Sequence, residues 1–297
     1  MKRRLYGTLY LLLATVIWGG AFVAQSTGMD YMGPFTFQAA RCLLAVIALV
    51  IMTVITDCRT PWRFLKKWRD ARLWKAGLLC GLALFASTNL QQAALVTTDA
   101  GKAGFITALY IVFVPILSIF RKRMPGINAF ISVGIAIAGM YLLCGGNLGA
   151  LQIGDILLIG CAITFAVQII LVDMFAQGVD PLRLNCIQAL VVTVLSIVPA
   201  LLFEAPDIRL IADCWLPLTF AGVLSMGLAY SLQIYGQQRL ESTPAALIMS
   251  LESVFAAISG ALLLGETMSP GEKLGCGLMF IAVILSQLHF PKRNRRT

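Results

Sequence analysis

Charge is scarce in this chain. Only 12% of its residues are Asp, Glu, Lys or Arg, and histidine occurs once, at His289. The longest polar stretch, Asp57 to Arg72, has the length of a loop. These shortages exclude a soluble globular protein and an extramembrane catalytic domain. A single histidine at the edge of an apolar run leaves no Ser–His pair for an intramembrane protease. It also leaves no His/Asp/Glu cluster for a metalloenzyme. No Walker A motif is present, so ATP-driven pumping lacks its phosphate loop. The eight cysteines (Cys42, Cys58, Cys80, Cys144, Cys161, Cys186, Cys214 and Cys276) have no Cys-x-x-Cys spacing. They read as small hydrophobes, with neither a disulfide framework nor a metal site. No cofactor and no nucleic-acid partner is expected.

What is present is hydrophobicity: 59% of residues are apolar and the mean hydropathy is +0.86. A membrane crossing needs about 20 apolar residues. Ten runs meet that description, over 6–26, 34–56, 73–94, 99–120, 127–145, 154–175, 182–203, 215–236, 243–264 and 270–289. The basic start, Met1 to Arg4, imitates a signal peptide, but the apolar run continues through Ala24 without a clear cleavage site. It reads as a retained first helix. With the N-terminus placed inside, 19 Lys and Arg residues fall on inside segments and 3 (Lys102, Arg209, Lys273) on outside ones. That asymmetry predicts cytoplasmic termini.

The pattern occurs twice. An offset of 147 carries Pro34 to Pro181, Trp18 to Phe165, and the polar pair Gln38 and Arg41 to Asn185 and Gln188. An offset of 142 carries Asn89 to Ser231, Gln91 to Gln233, and Val112-Phe113 to Val254-Phe255. The predicted fold is an all-α integral membrane protein whose ten transmembrane helices form a 5+5 inverted-topology repeat, 1–145 and 154–289. An odd number of spans per copy turns the second copy over. Inverted repeats place a site near the midplane and permit two related conformations.

Polar residues inside apolar runs mark that site. An ionisable group at the bilayer centre costs at least about 2.5–3.5 kcal/mol. Arg41 lies about 10 Å into its helix from Pro34, with Gln38 on the same face. Glu252 lies about 12 Å past Pro244. It can hold a cation or proton, or pair with Arg41, and its repeat equivalent is Tyr110, three residues from Thr107. Asn89, Gln91 and Gln92, with Thr164 and Gln168 four apart, and Tyr230 and Gln233, add amide and hydroxyl groups. Interhelical hydrogen bonding explains any one of them. Together they outline a polar cavity lined by Trp18, Gln38, Arg41, Asn89, Gln91, Thr107, Tyr110, Gln168, Gln188, Tyr230, Gln233 and Glu252. Gly77-x-x-x-Gly81 and Gly271-x-x-x-Gly275 suit either internal helix packing or a homodimer face.

The run Thr98-Asp99-Ala100-Gly101-Lys102-Ala103-Gly104-Phe105-Ile106-Thr107, continuing to Tyr110 and Val114-Pro115, resembles the fourth helix of EamA-type members of the drug/metabolite transporter superfamily. Leu251-Glu252-Ser253-Val254-Phe255-Ala256-Ala257 with Leu264-Gly265-Glu266 resembles their ninth. Trp18-Gly19-Gly20-Ala21-Phe22 and Pro34 with Arg41 look like the first and second. Family members often carry proline where this chain has Ser253. The resemblance implies a 5+5 repeat and export or exchange of small metabolites across a cell membrane, the bacterial inner membrane. A cation and an anion at similar depth suit an amino-acid-like zwitterion. Glu252 alone suits a cationic drug or a proton as coupling ion. A membrane-embedded enzyme or a structural membrane protein is the alternative outside transport, and the duplicated polar cavity counts against both.

Overall fold

A computed structural model describes residues 2–57, 66–98, 100–121, 125–143, 152–263 and 268–287. Asp99, Glu266, His289, Cys58, Cys144 and the basic residues at 59, 63, 122, 123 and 292–296 lie outside the described residues. So do the ends of several expected spans.

The described residues form helices: α1 Lys2–Gly28, α2 Pro34–Asp57, α3 Ala71–Ala94, α4 Ala100–Ala108, α5 Tyr110–Phe120, α6 Ile127–Leu143, α7 Ile153–Phe175 and α8 Pro181–Phe203. Then follow α9 Ile208–Asp213, α10 Trp215–Thr219, a π-helical stretch Phe220–Ala229, α11 Tyr230–Gln237, α12 Ser242–Met249, α13 Glu252–Leu263 and α14 Pro270–Gln287. Among the described residues, eight helical stretches are long and apolar enough to cross a membrane. The expected fifth and tenth spans fall on α6 and α14. Neither is among those eight, and the apolar part of α6, Ile127–Leu142, is shorter.

Helix starts are written locally. Asp180 caps α8 ahead of Pro181, its carboxylate accepting from the Arg183 N–H at 3.2 Å. Proline suits a first turn whose N–H groups have no helical partner. Asp155 closes a capping box with Gln152 at the start of α7.

Side-chain polarity runs opposite to that of a soluble protein. Leu5, Leu9, Leu13 and Val16 are exposed along one face of α1, while Thr15, Trp18 and Gln25 are buried. Backbone bonds satisfied within helices and an apolar exterior are what a hydrocarbon solvent demands.

Helices α2 and α8 pack along each other, as do α6 and α14. α3 lies on α7, and α1 lies on the π stretch and α11. Close approach of α3 to α8 uses Gly77, where a Cβ would meet Ile187, and Gly81, where it would meet Val191 and Gln188. These glycines serve internal packing.

Three spans are interrupted. Between α4 and α5 the backbone flattens at Leu109 (ψ −8°), and between α12 and α13 at Ser250 (ψ −13°). Tighter bonds bridge both places: Val112 N–H to Leu109 O at 2.9 Å, and Leu251 N–H to Ile248 O at 3.1 Å. In the third, the wider π turns free carbonyls that Asn185 answers. Its Nδ2 donates to Met226 O (2.8 Å) and Gly227 O (2.9 Å).

Candidate functional site

The interruptions meet at one internal cavity. Seven of the twelve expected residues line it: Trp18, Arg41, Gln91, Tyr110, Tyr230, Gln233 and Glu252. Tyr110 and Glu252 are each the first residue after a helix break. The break turns them inward at mid-span, and the partial positive charge of a helix N-terminus favours a carboxylate at Glu252.

Arg41 is 2% exposed. Its Nε donates to Gln38 Oε1 at 2.7 Å and its Nη1 to Gln25 Oε1. Gln38 is fixed in turn by donating to Thr88 Oγ1 at 2.7 Å, and Gln25 by donating its Nε2 to Ala21 O at 3.1 Å. Both partners of the guanidinium are neutral amides. The sequence left open a pairing of Arg41 with Glu252; among the described residues no ion pair joins them, and neither has another ionic partner. The amides on α1 and α2 hold Arg41, and Glu252 stands on α13.

The aromatic walls are specific. Trp18 meets Tyr230 edge-on at 5.0 Å, and Tyr110 meets Phe165 at 6.4 Å. Gln233 donates to Gln168 Oε1 (3.0 Å) and Gln237 Oε1 (2.9 Å), and Gln168 donates to Gln188 Oε1 at 3.2 Å. Gln168 and Gln188 therefore stand behind the wall and orient Gln233. Thr107 likewise receives the Gln91 amide at 3.3 Å. Asn89 lies apart from the cavity: its Nδ2 donates to Ser196 Oγ at 3.0 Å and ties α3 to α8.

Among the described residues, two buried polar atoms of the wall, Trp18 Nε1 and Gln233 Oε1, have no hydrogen-bond partner, while the Tyr110 hydroxyl and the Glu252 carboxyl face each other. Buried polar groups are normally paired because desolvation without a bond costs about 1–3 kcal/mol. Here a donor and an acceptor remain, beside a cation and an acid without ionic partners. The arrangement sets both charges around one space. Among the described residues no three His, Cys, Asp or Glu side chains converge for a metal. The cavity offers about 30 Å³ to water-sized guests, room for roughly two waters.

Six lining residues were not expected: Phe22, Gln25, Phe165, Ile169, Ser225 and Met249. Two had legible signals. Gln25 is an amide at the end of an apolar run, and Phe165 is the repeat counterpart of Trp18. The others are apolar or small and carry no mark.

The sequence profile described as the EamA-like transporter family matches this chain twice, over residues 5–145 and 152–288. A transporter of Archaeoglobus fulgidus is 31% identical to it, over 96% of this chain and 87% of that one. The threonine/homoserine exporter RhtA of Escherichia coli K12 is 26% identical, over 96% and 92%. A solved crystal structure at 18% identity superposes with a TM-score of 0.75, covering 95% of this chain and 96% of that one. Eight membrane-length apolar helices, a buried polar cavity and near full-length matches agree: this multi-pass membrane transporter belongs to the EamA-like transporter family.

Proposed function

We propose that the chain exports or exchanges an amino-acid-like zwitterion by alternating access of a 5+5 inverted repeat of ten spans, with both termini cytoplasmic. The observation that carries the substrate class is the cavity. Arg41 and Glu252, each without an ionic partner, line one space together with an unpaired donor and an unpaired acceptor. An α-carboxylate needs the first and an α-ammonium the second. The threonine/homoserine exporter among the relatives supports the same class.

Several features support the repeat. Tyr110 and Glu252, each the first residue after a break, are 142 residues apart, the offset that aligns the sequences. α3 rests on α7 as the π stretch and α11 rest on α1, so packing partners exchange when the halves are exchanged. The double profile match follows the same division. In its present form the cavity cannot hold an amino acid, so loading requires helices to part. Broken helices around a midplane site provide for that.

The test is counterflow in proteoliposomes preloaded with threonine, homoserine or another amino acid, against controls with cationic dyes. Accelerated uptake of a labelled amino acid only when the lumen holds a related one is the expected result. Counterflow with cationic dyes alone favours the second reading, efflux of cations through Glu252, with protons exchanging at the same carboxyl. External access of thiol reagents to cysteines placed at the termini sinks the orientation.

A further inference from the structure

A second space lies outside the central cavity and shares no lining residue with it. It is a groove of about 500 Å³ between α2, α8 and α10, walled by Ala40, Leu43, Leu44, Ile197, Leu201 and Trp215. Two of its three hydroxyls are spent internally: Thr36 Oγ1 donates to Glu204 Oε2 at 2.6 Å and Thr193 Oγ1 to Ala189 O at 2.8 Å.

The groove is blind at its deep end. A Cβ at Gly222 would lie 2.6 Å from the Arg41 carbonyl oxygen, so the π stretch presses on α2 there and shuts the groove off from the cavity. Above that contact the helices part. At the offset of 142, Gly77, where α3 closes on α8, becomes Thr219, which lines the groove. This last comparison rests on the proposed repeat; the groove itself does not.

Its shape selects the occupant. The lining runs from Thr36 to Leu44 on α2 and from Thr193 to Leu201 on α8, about 12 Å on each helix. That is close to the depth of one hydrocarbon leaflet, about 15 Å. Leu43, Ile197, Leu201 and Trp215 on its walls are all exposed, so the groove opens along its length toward the hydrocarbon, where a polymethylene chain can enter it. Arg209, exposed, stands in sequence between Pro206 and Ile211, which both line the mouth, and offers a cation to a phosphate. Asp207 accepts from the Arg209 backbone N–H at 2.8 Å, and Glu204 is engaged by α2. The geometry points to a phospholipid site: one acyl chain fills the groove as a wedge behind Arg41, with its phosphate at Arg209.

The experiment uses the full chain in nanodiscs of phosphatidylethanolamine and phosphatidylglycerol. A fraction of the phosphatidylethanolamine carries a diazirine on its acyl chain. After photolysis, peptide mapping is expected to find several-fold more label at Leu43, Leu44 and Ile197 than at Val198, exposed on another face of α8. Ala40→Phe and, independently, Thr219→Leu fill the groove from opposite walls and are expected to remove that excess in folded, monodisperse protein. Arg209→Ala is expected to lower it. Equal labelling of groove and Val198, unchanged labelling in both filled variants, or protection of the groove by a second copy in a dimer fraction overturns the site. The readout does not involve transport, so its failure leaves the transporter reading intact.

Discussion

Two arginines are buried among the described residues, and their surroundings differ in kind. Arg183, 1% exposed, lies at the start of α8 between two carboxylates, Asp57 at the end of α2 and Asp180 at 2.8 Å. The face of Trp68 lies 5.5 Å from its guanidinium carbon. Arg41, 2% exposed, lies deeper in α2 and is held by two neutral amides. Arg183 is neutralised by its neighbours, and its charge serves the joint between α2 and α8. Arg41 is oriented but not neutralised. On the proposed reading that combination leaves its charge to a ligand, and the comparison sets a structural cation beside a proposed binding one.

The largest expected effect breaks the structural side. Arg183→Ala leaves Asp57, whose side chain is 10% exposed, with only the half-exposed Lys67 as a cation. Removing one member of a buried pair costs about 3–5 kcal/mol. Thermal unfolding in a mild detergent is expected to show a loss of that order, and Asp57→Ala in the Arg183→Ala background is expected to restore part of it. Strictly additive losses would show that the two residues do not act as a pair.

Next comes the binding side. Hydrogen bonds to charged groups are worth about 1.5–3 kcal/mol, or roughly 10–150-fold in affinity. Arg41→Gln is expected to weaken zwitterion counterflow by a factor in that range, to spare transport of cations, and to leave thermal stability near wild type. Glu252→Gln is expected to impair both substrate classes. If both variants insert, fold and transport normally, the two residues are structural and the cavity is not the site.

The sequence made much of this legible, and its failures have causes. Pro34, the Asp180–Pro181 pair and the apolar runs locate α2 and α8, because caps and hydrophobicity are local properties. Arg41, Gln91, Tyr110, Gln233 and Glu252 were legible because polar groups in lipid-length helices need a reason. Arg183 was counted merely as an inside charge; its pairing with Asp57 depends on α2 meeting α8, 126 positions apart. Asn89 was grouped with the cavity because α3 buries polar residues on more than one face, and only packing reveals that it turns to Ser196. The break at Leu109 carries no glycine or proline, so local sequence gives no sign of it. The tie that holds the end of α2 bearing Pro34 was equally hidden. There Glu204 accepts from Phe35 N–H at 2.9 Å, Thr36 N–H at 2.8 Å and Thr36 Oγ1 at 2.6 Å.

Glu204 and Asp57 are 147 residues apart, the offset of the first two spans, and each joins the end of one helix of the α2–α8 pair to the start of the other. One does so through backbone donors and the other through cations. Glu204→Ala removes a charged cap and is expected to cost about 1–2 kcal/mol in the same unfolding assay, within the range of N-cap losses. Gly33→Ala is expected to mimic it in direction, since a Cβ there would collide with the Glu204 carboxylate. A loss from Gly33→Ala that persists in full in the Glu204→Ala background would place its cause elsewhere.

The smallest effect distinguishes the two ends by salt. Lys67 Nζ lies 2.9 Å from Asp57 and 3.8 Å from Asp180, and its side chain is 44% exposed. Exposed pairs are worth about 0.2–1 kcal/mol and are screened as the Debye length falls from about 10 Å at 0.1 M salt to about 3 Å at 1 M. Arg183 is shielded from that screening by burial, and the Glu204 cap uses backbone donors. Raising the salt concentration is therefore expected to lower stability by no more than the Lys67 contribution, through the Asp57 end alone. Lys67→Ala should flatten this dependence, whereas Glu204→Ala should leave its slope as in the wild type. Unfolding temperatures of the three proteins in a nonionic detergent, at low and high salt, measure both. An undiminished slope in Lys67→Ala would mean that salt acts on some other contact, and that the ionic joint is as insulated as the cap at the opposite end.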